Sequence, residues 1–582
     1  MSPALPETLH AAFDAARARA GALPFLAESA CSGGRVWSFA QAGREVDALA
    51  DAYAAAGWGA GHRVALGVGN HPRHFFHFLA LNRLGASIVP LNPDHRGAEI
   101  RHALRLSGAD LVVALPERAG VVTQALGQAG AEDAALRALP VVTLDPGGAA
   151  GLPGTATPAA RAEAAETEHR ADTAPPGGPG TAAALLRAVL PRAAPSPRAG
   201  SVATPWQREV AILFTSGTSG PPKGCVLTNE YVMTAGAWYR DLGGALTLRP
   251  AQERLLNPLP VFHMNCGMTT VATMCLTDNC LVLPDRFHAS TWWEDCVRSR
   301  ATAIHYLGIM PPALFKQAPS DWESRHTVRF GLGAGCDPSL HPQVEARFGF
   351  PFVEVWGMTE TGRFLANQHE PRLTHTRAFG REAQPLQVRV VDDADRELPD
   401  GSPGELLVRA RGADPRQGFF SGYLDDDEAT RQAWRGGWFH TGDVVTRDAS
   451  GMLYFVDRRK DMIRRSGENI SAGEVEAVLA AHPAVTRVAV LAVPDEMRDE
   501  EVLAVVVPAA GHAADEATAR ALALRCRAEL AYYKAPAWVA FRAELPVTAT
   551  NKLQKNRIFG PGEDPRAGAF DLRALKTRPA DR

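Results

Sequence analysis

Across 582 residues the sequence lacks a dominant charge of either sign: 61 Lys and Arg stand against 64 Asp and Glu, for a formal net charge of −3. Such a balance points away from nucleic acid or an anionic membrane surface as the main partner. No uninterrupted apolar run of about 18 residues occurs, so no membrane span is predicted. The N-terminal MSPALPETLHAAFDAARARA lacks the apolar core, flanked by basic and small-residue segments, of a secretory leader. These absences predict a soluble, cytoplasmic protein. The eight cysteines (Cys31, Cys225, Cys266, Cys275, Cys280, Cys296, Cys336 and Cys526) form no CxxC pair and no Cys/His group at zinc-finger spacing. They read as buried or idle thiols in a reducing compartment. No internal repeat is evident.

What is present is an ordinary globular composition, with 46% apolar and 21% charged residues. The length suggests roughly four domain-sized units, more than a lone binding module needs. From Ser38 to about Thr143, amphipathic helical stretches such as FAQAGREVDALADAYAAAG alternate with β-rich runs such as RVALGVG, ASIVPLN and ADLVVAL. This is the βα rhythm of a mainly parallel, doubly wound sheet. Residues 145–205 shift to Ala, Gly, Pro and Ser, apart from a short helix around TAAALLRAVL, and read as a surface insertion or linker without chemistry. Alternation resumes at EVAILF and runs to about Asp457, with turns such as LPDGSPGE that suit a β-rich subdomain. A smaller α+β lobe of roughly 110 residues follows. The expected organisation is an α/β protein: a large N-terminal domain over 1–457 with doubly wound sheets and a β-rich subdomain, a hinge at 458–460, a small mobile lobe over 461–565, and a tail over 566–582.

The sharpest local signal is Ile212-Leu213-Phe214-Thr215-Ser216-Gly217-Thr218-Ser219-Gly220-Pro221-Pro222-Lys223-Gly224. A β-run opens into a hydroxyl- and glycine-rich loop ending in lysine, which lets N–H groups, hydroxyls and one ammonium surround polyphosphate oxygens. By itself the segment also fits a flexible Ser/Gly turn. It is not a Walker loop, because the Gly-Lys-Ser/Thr ending is missing.

TSGTSGPPKG resembles the phosphate-loop signature of the adenylate-forming superfamily: acyl-CoA synthetases, luciferases and the adenylation domains of peptide synthetases. Four further motifs follow in the family's order. Trp356-Gly357-Met358-Thr359-Glu360, preceded by Gly333-Ala334-Gly335, resembles the second, and Gly437-Trp438-Phe439-His440-Thr441-Gly442-Asp443 the third. Asp457-Arg458-Arg459-Lys460-Asp461-Met462-Ile463, running into Ser466-Gly467-Glu468-Asn469-Ile470, resembles the fourth, and Pro546 to Leu553 (PVTATNKL) the last. The resemblance covers nearly the whole chain outside 145–205.

It implies an ATP-dependent acid–thiol ligase with ATP, Mg²⁺ and coenzyme A as cofactors and co-substrates. Carboxylate attack on the α-phosphate of ATP brings two anions together, so donors and positive charge must gather where charge develops. By resemblance, the loop Thr215 to Gly220 with Lys223 cradles phosphates, Thr359 holds the α-phosphate and Glu360 ligates Mg²⁺. Gly333, Ala334, Gly335, Trp356, Gly357 and Met358 line the nucleotide site. Asp443 and Arg458 bind the ribose hydroxyls, a diol matching a carboxylate that accepts two hydrogen bonds. Lys552 bridges carboxylate and α-phosphate in the first step, and Lys460 is the hinge that brings the Gly467 loop to the thiol in the second.

For the acid, Phe262-His263 resembles acyl- and aryl-CoA ligases, in which the His263 position gates a pocket here assigned to Trp238, His263, Met310, Gly335 and Phe364. A packed histidine without a gating role is the alternative. Arg464-Arg465-Ser466-Gly467-Glu468-Asn469-Ile470-Ser471 and Tyr306 to Pro311 (YLGIMP) resemble the crotonobetaine/carnitine-CoA ligase branch. Arg464, Arg465, Ser466, Gly467 and Glu468 are assigned to coenzyme A, with a solvated arginine face as the alternative. Two positions depart from the family pattern. Asn551 stands where glycine is usual and tolerates positive φ best among non-glycines, and Asp457 stands where many members have Gly. Delivery to a carrier-protein phosphopantetheine and a catalytically silent acyl-AMP-binding homologue are the other functions weighed, while a homodimer is compatible with the sequence.

Overall fold

The computed structural model describes residues 5–95, 97–130, 133–144, 186, 190–191, 194–198, 204–215, 222–458, 461–465, 468–495, 499–530, 532–547, 553–560 and 562–576, with backbone alone at 464, 468, 469 and 499. Within it the chain forms two compact units. The first holds the described residues of Met1–Thr215, Pro222–His375 and Arg416–Thr430; the second holds those of Thr376–Pro415 and Arg431–Arg582. Residues 376–415 and 431–457 thus cluster with the C-terminal lobe, whereas the sequence-based division drew its line after 457.

In the first unit the βα rhythm becomes two sheets. The strands Arg63–Gly67, Ser87–Pro90, Leu111–Ala114, Val141–Thr143 and Glu209–Thr215 run parallel in a seven-stranded sheet. Ser87–Pro90 and Leu111–Ala114 are buried at every residue, as continuous apolar strands covered on both faces must be. The sheet ends in an antiparallel margin, Lys223–Thr228 and then Gly422–Tyr423. The eight-stranded sheet has a parallel core of Pro24–Glu28, Cys280–Leu283, Arg254–Leu256, Ala303–Leu307, Phe330–Ala334 and Phe352–Gly357. Antiparallel strands Val36–Ser38 and Phe364–Ala366 close its two edges.

Of the 145–205 segment, the described residues 194–198 dock on the first unit. His62 Nε2 donates to Pro195 O at 2.8 Å, and Arg198 pairs with Asp110 at 2.6 Å. The expected helix over TAAALLRAVL lies almost entirely outside the described residues.

The second unit contains the β-rich subdomain, five antiparallel strands in the order Ala378–Arg381, Met452–Arg458, Phe439–Arg447, Gly404–Ala410, Leu386–Val391. Its α+β lobe is a mixed sheet built on the long pair Val485–Asp495 and Asp499–Pro508. Helices Ala472–Ala480 and Glu516–Glu529 start at Ser471 and Asp515, whose side chains accept from Glu474 N and Thr518 N. Val475, Leu479, Leu522 and Cys526 bury the helices' apolar faces against Val488, Val490, Val502 and Val506. No described helix is long and apolar enough to cross a membrane. Seven of the eight cysteines are buried and Cys31 is exposed.

Candidate active site

The phosphate-loop candidate is a hairpin. Glu209–Thr215 and Lys223–Thr228 pair antiparallel, with Thr215 opposite Lys223. Ser216, Gly217, Thr218, Ser219 and Gly220 lie outside the described residues, but both ends of the loop are placed. The Lys223 ammonium sits 3.1 Å from Asp426 Oδ2 and 4.9 Å from the centre of the Tyr423 ring. Tyr423, opposite Cys225 in the sheet, donates its hydroxyl to Glu360 Oε1 at 2.9 Å. Lys223 and Glu360, 137 positions apart in the chain, therefore share one tyrosine.

Glu360 is 6% exposed. Its backbone carbonyl accepts from Phe420 N at 3.0 Å, and the carbonyl of Thr359 accepts from the Tyr231 hydroxyl at 2.7 Å. The Thr359-Glu360 turn is thus clamped from both sides by residues outside every motif. Burial, with Glu360 close by, pushes the Tyr423 and Cys225 protons up, so both groups stay neutral donors toward the carboxylate. A buried carboxylate oxygen of this kind suits Mg²⁺, a hard cation usually held through one or two protein carboxylates with waters completing its shell.

Gly333, Ala334 and Gly335 close the strand Phe330–Ala334. A Cβ on Gly333 would lie 2.3 Å from Tyr306 O, and Gly335 has φ +88°, so both positions require glycine. Beneath this turn Glu354 accepts from Gly335 N at 2.7 Å, Cys336 N at 3.0 Å and the Tyr306 hydroxyl at 2.6 Å. Trp356 is buried in the adjacent strand, with Gly357 exposed and Met358 half-buried at its end.

Of the pocket candidates, Trp238 Nε1 donates to Phe364 O at 2.7 Å, which joins those two directly. Met310, 2% exposed, packs in the core with Tyr306 and Cys336. His263 is half-buried against Phe262, their ring centroids 4.6 Å apart, and precedes a π-helix over Asn265–Thr270. Such bulges mark functional sites more often than chance. Below it, Asn265 Oδ1 lies 2.7 Å from His305 Nδ1, and the Tyr239 hydroxyl lies 2.9 Å from His305 Nε2.

In the second unit Asp443 and Arg458 stand directly opposite in adjacent strands, with Arg458 Nε 2.6 Å from Asp443 Oδ1. Two motifs 15 positions apart converge here through strand register. Arg465 does not face outward as the coenzyme A assignment requires. It is 5% exposed, with Nε 2.6 Å from Glu501 Oε1, and Lys576 Nζ holds the other Glu501 oxygen at 2.5 Å. An arginine neutralising a buried carboxylate is not available to a phosphate. Arg464 and Glu468 are described only as backbone, each paired across the Met462–Arg465 and Glu468–Ser471 strands. Lys460, Ser466, Gly467 and Lys552 lie outside the described residues; Leu553, next to Lys552, bridges to Val547.

Sequence reasoning missed Tyr231, Tyr423, Asp426 and Glu354. The first three lie outside all five motifs, and Glu354, two positions before Trp356, gave no sign of pointing under the Gly335 turn.

The AMP-binding enzyme family matches residues 13–424, and the AMP-binding enzyme C-terminal domain matches 474–552. The chain is 30% identical over 534 residues to a sulfoacetate–CoA ligase of Cupriavidus necator, covering 90% of this chain and 92% of that one. It is 29% identical over 528 residues to a crotonobetaine/carnitine–CoA ligase of Citrobacter koseri, covering 90% and 93%. ATP-bound MatB from Rhodopseudomonas palustris shares the fold with a TM-score of 0.72 at 22% identity, over 94% of this chain and 98% of that one. So does the o-succinylbenzoate CoA synthetase MenE of Bacillus subtilis with its acyl-adenylate OSB-AMP, at 0.73 and 22%, over 94% and 97%. With both domains matched in order and relatives aligned over nine-tenths of the chain, this protein belongs to the AMP-binding, adenylate-forming enzyme family, on its acyl-CoA ligase branch.

Proposed function

We propose that the chain joins a carboxylic acid to coenzyme A in two steps: the acid attacks the α-phosphate of ATP and expels pyrophosphate, then the coenzyme A thiol takes the acyl group and AMP leaves. The observation that carries this reading is the clamped Glu360, buried and tied through Tyr423 to the lysine that ends the phosphate hairpin. Donors held rigid before charge develops lower the barrier most, since they need no reorganisation during the reaction. The hairpin from Thr215 to Lys223 would take the β- and γ-phosphates and Thr359 the α-phosphate. Glu360 would hold Mg²⁺, which screens the phosphate charge from the incoming carboxylate.

Asp443 would accept from the ribose hydroxyls while Arg458 holds its carboxylate in place. Lys552 would reach the carboxylate and α-phosphate in the first step. The lobe after the Lys460 hinge would then bring the Gly467 loop to the thiol. Domain boundaries near 457–461 follow from that hinge. Trp238, His263 and Phe364 would frame the acid pocket, with His263 as its gate. Arg464, Ser466, Gly467 and Glu468 remain the coenzyme A candidates, without Arg465.

The test is pyrophosphate release with ATP, Mg²⁺, free coenzyme A and a panel of aliphatic, aryl and betaine-like acids, sulfoacetate, crotonobetaine and carnitine included. Steady turnover with at least one acid and free coenzyme A supports the proposal. A single burst of adenylate that turns over only with a phosphopantetheinylated carrier protein would replace the acceptor. No pyrophosphate with any acid would leave a silent acyl-AMP-binding homologue.

A further inference from the structure

Three ligand-type side chains meet under the Gly335 turn, one of them the Glu354 that already ties that turn. Cys336 follows that turn, His341 opens the helix His341–Phe348, and Glu354 lies in the strand Phe352–Gly357. The Cys336 sulfur, one His341 ring nitrogen and one Glu354 oxygen all lie within 4.8 Å of one another. Cys336 and His341 are 5% and 2% exposed.

The histidine supplies a second, independent sign. His341 Nε2 lies 2.7 Å from Phe352 O and 3.1 Å from Glu345 Oε1. Both partners only accept, so Nε2 carries the proton and Nδ1 presents its lone pair. That Nδ1 is buried and has no hydrogen-bond partner. Histidines that ligate metals are oriented in this way, donating the distal N–H to a carbonyl or carboxylate while the other nitrogen faces the ion.

We propose that Cys336, His341 and Glu354 bind a zinc ion, with water as the fourth ligand. One sulfur, one imidazole nitrogen and one carboxylate oxygen form a borderline-soft set that suits tetrahedral Zn²⁺ and disfavours Mg²⁺ or Ca²⁺, which take oxygen alone. On binding, the Cys336 S–H bond breaks, its proton leaves to solvent, and a Zn–S bond forms. The ion would pin the Gly335–Cys336 turn from below, where Glu354 already ties it through two backbone N–H groups. The proposal goes beyond the ligase reading and does not depend on it.

The full chain, carrying no polyhistidine tag and purified without chelators, is assayed for metal by plasma mass spectrometry. The expected content is about one zinc per chain, falling roughly tenfold or more in Cys336→Ser and in His341→Ala. As a readout independent of how the variants fold, the wild-type protein is also stripped and titrated with zinc and with cobalt. Zinc should raise its melting temperature, and cobalt should give a thiolate charge-transfer band with tetrahedral d–d absorption. Zinc retained in both variants, or stripped wild-type protein that shows neither the melting shift nor the cobalt band, overturns the site.

Discussion

The two compact units assemble their functional candidates in different ways. In the first, motifs far apart in sequence meet through side chains that belong to no motif: Tyr231 clamps Thr359, and Tyr423 spans Lys223 and Glu360. In the second, Asp443 and Arg458 meet because their strands are neighbours in register, with no intermediary. Register is fixed by the whole sheet and is insensitive to one side chain. A clamp made of single tyrosine hydroxyls is sensitive to each of them.

The largest expected effect tests the second unit. Lys552→Ala should cost adenylation about 10² to 10³, the scale of one lost electrostatic donor, while supplied acyl-AMP still becomes thioester. ATP–pyrophosphate exchange against single-turnover thioester formation separates the two steps, and an equal loss in both would remove Lys552 from the first. Lys460→Pro should do the reverse, sparing exchange and slowing thioester formation by roughly 10², the size of a misplacement of about 1 Å; an unchanged thioester rate argues against the hinge. Asp443→Asn weakens a charge-assisted contact and should raise KM for ATP by about 10- to 100-fold, read from initial rates at saturating acid. No change in KM would detach the Asp443–Arg458 pair from the nucleotide.

Tyr423→Phe sharpens the comparison from the other side. Loss of one hydroxyl to a buried carboxylate should lower kcat/KM about 2- to 10-fold with little change in melting temperature. If an equally mild change at a register partner in the second unit costs as much, the contrast between clamp and register fails.

The last effect is on acid tolerance rather than on rate, and it falls on the first unit. Burial holds His74, His77 and His305 neutral, lowering each to about 3 from an ordinary value near 6.5. The unfolded chain therefore binds protons that the folded unit refuses, so stability falls as pH drops from about 6.5 toward 3. Hydrogen exchange across that range should show the first unit opening progressively, and His74→Phe should flatten the slope; a slope unaffected by that change points to other groups.

The parallel sheets, the β-rich subdomain and the small lobe were all legible, because period-2 runs such as EVLAVVVP and capped helices such as GEVEAVLAAHP carry their own signal. The motifs singled out Asp443 and Arg458, but their pairing across adjacent strands shows only in the fold. Tyr231, Tyr423 and Glu354 were not legible, since a tyrosine's hydroxyl partner depends on a fold that only tertiary packing decides. Arg465 was misassigned for a related reason: its partner Glu501 lies 36 positions away, and a basic pair reads as surface until an interior carboxylate appears.

Asp457, the residue that stands where many relatives have glycine, accepts at Oδ2 from the Ser471 hydroxyl at 2.7 Å and from Gly473 N at 2.9 Å. It thereby ties the last strand of the β-rich subdomain to the first turn of the lobe's helix, across the proposed hinge. Bonds that exist in one orientation of the lobe and not in another act as a bias on the population of the two. Two bonds to a buried carboxylate, each of about 1.5 to 3 kcal/mol, are enough to favour one arrangement by tenfold or more. The side chain at 457 would then govern how the enzyme divides its time between making the adenylate and consuming it, a property of tempo that leaves the chemistry of either step untouched.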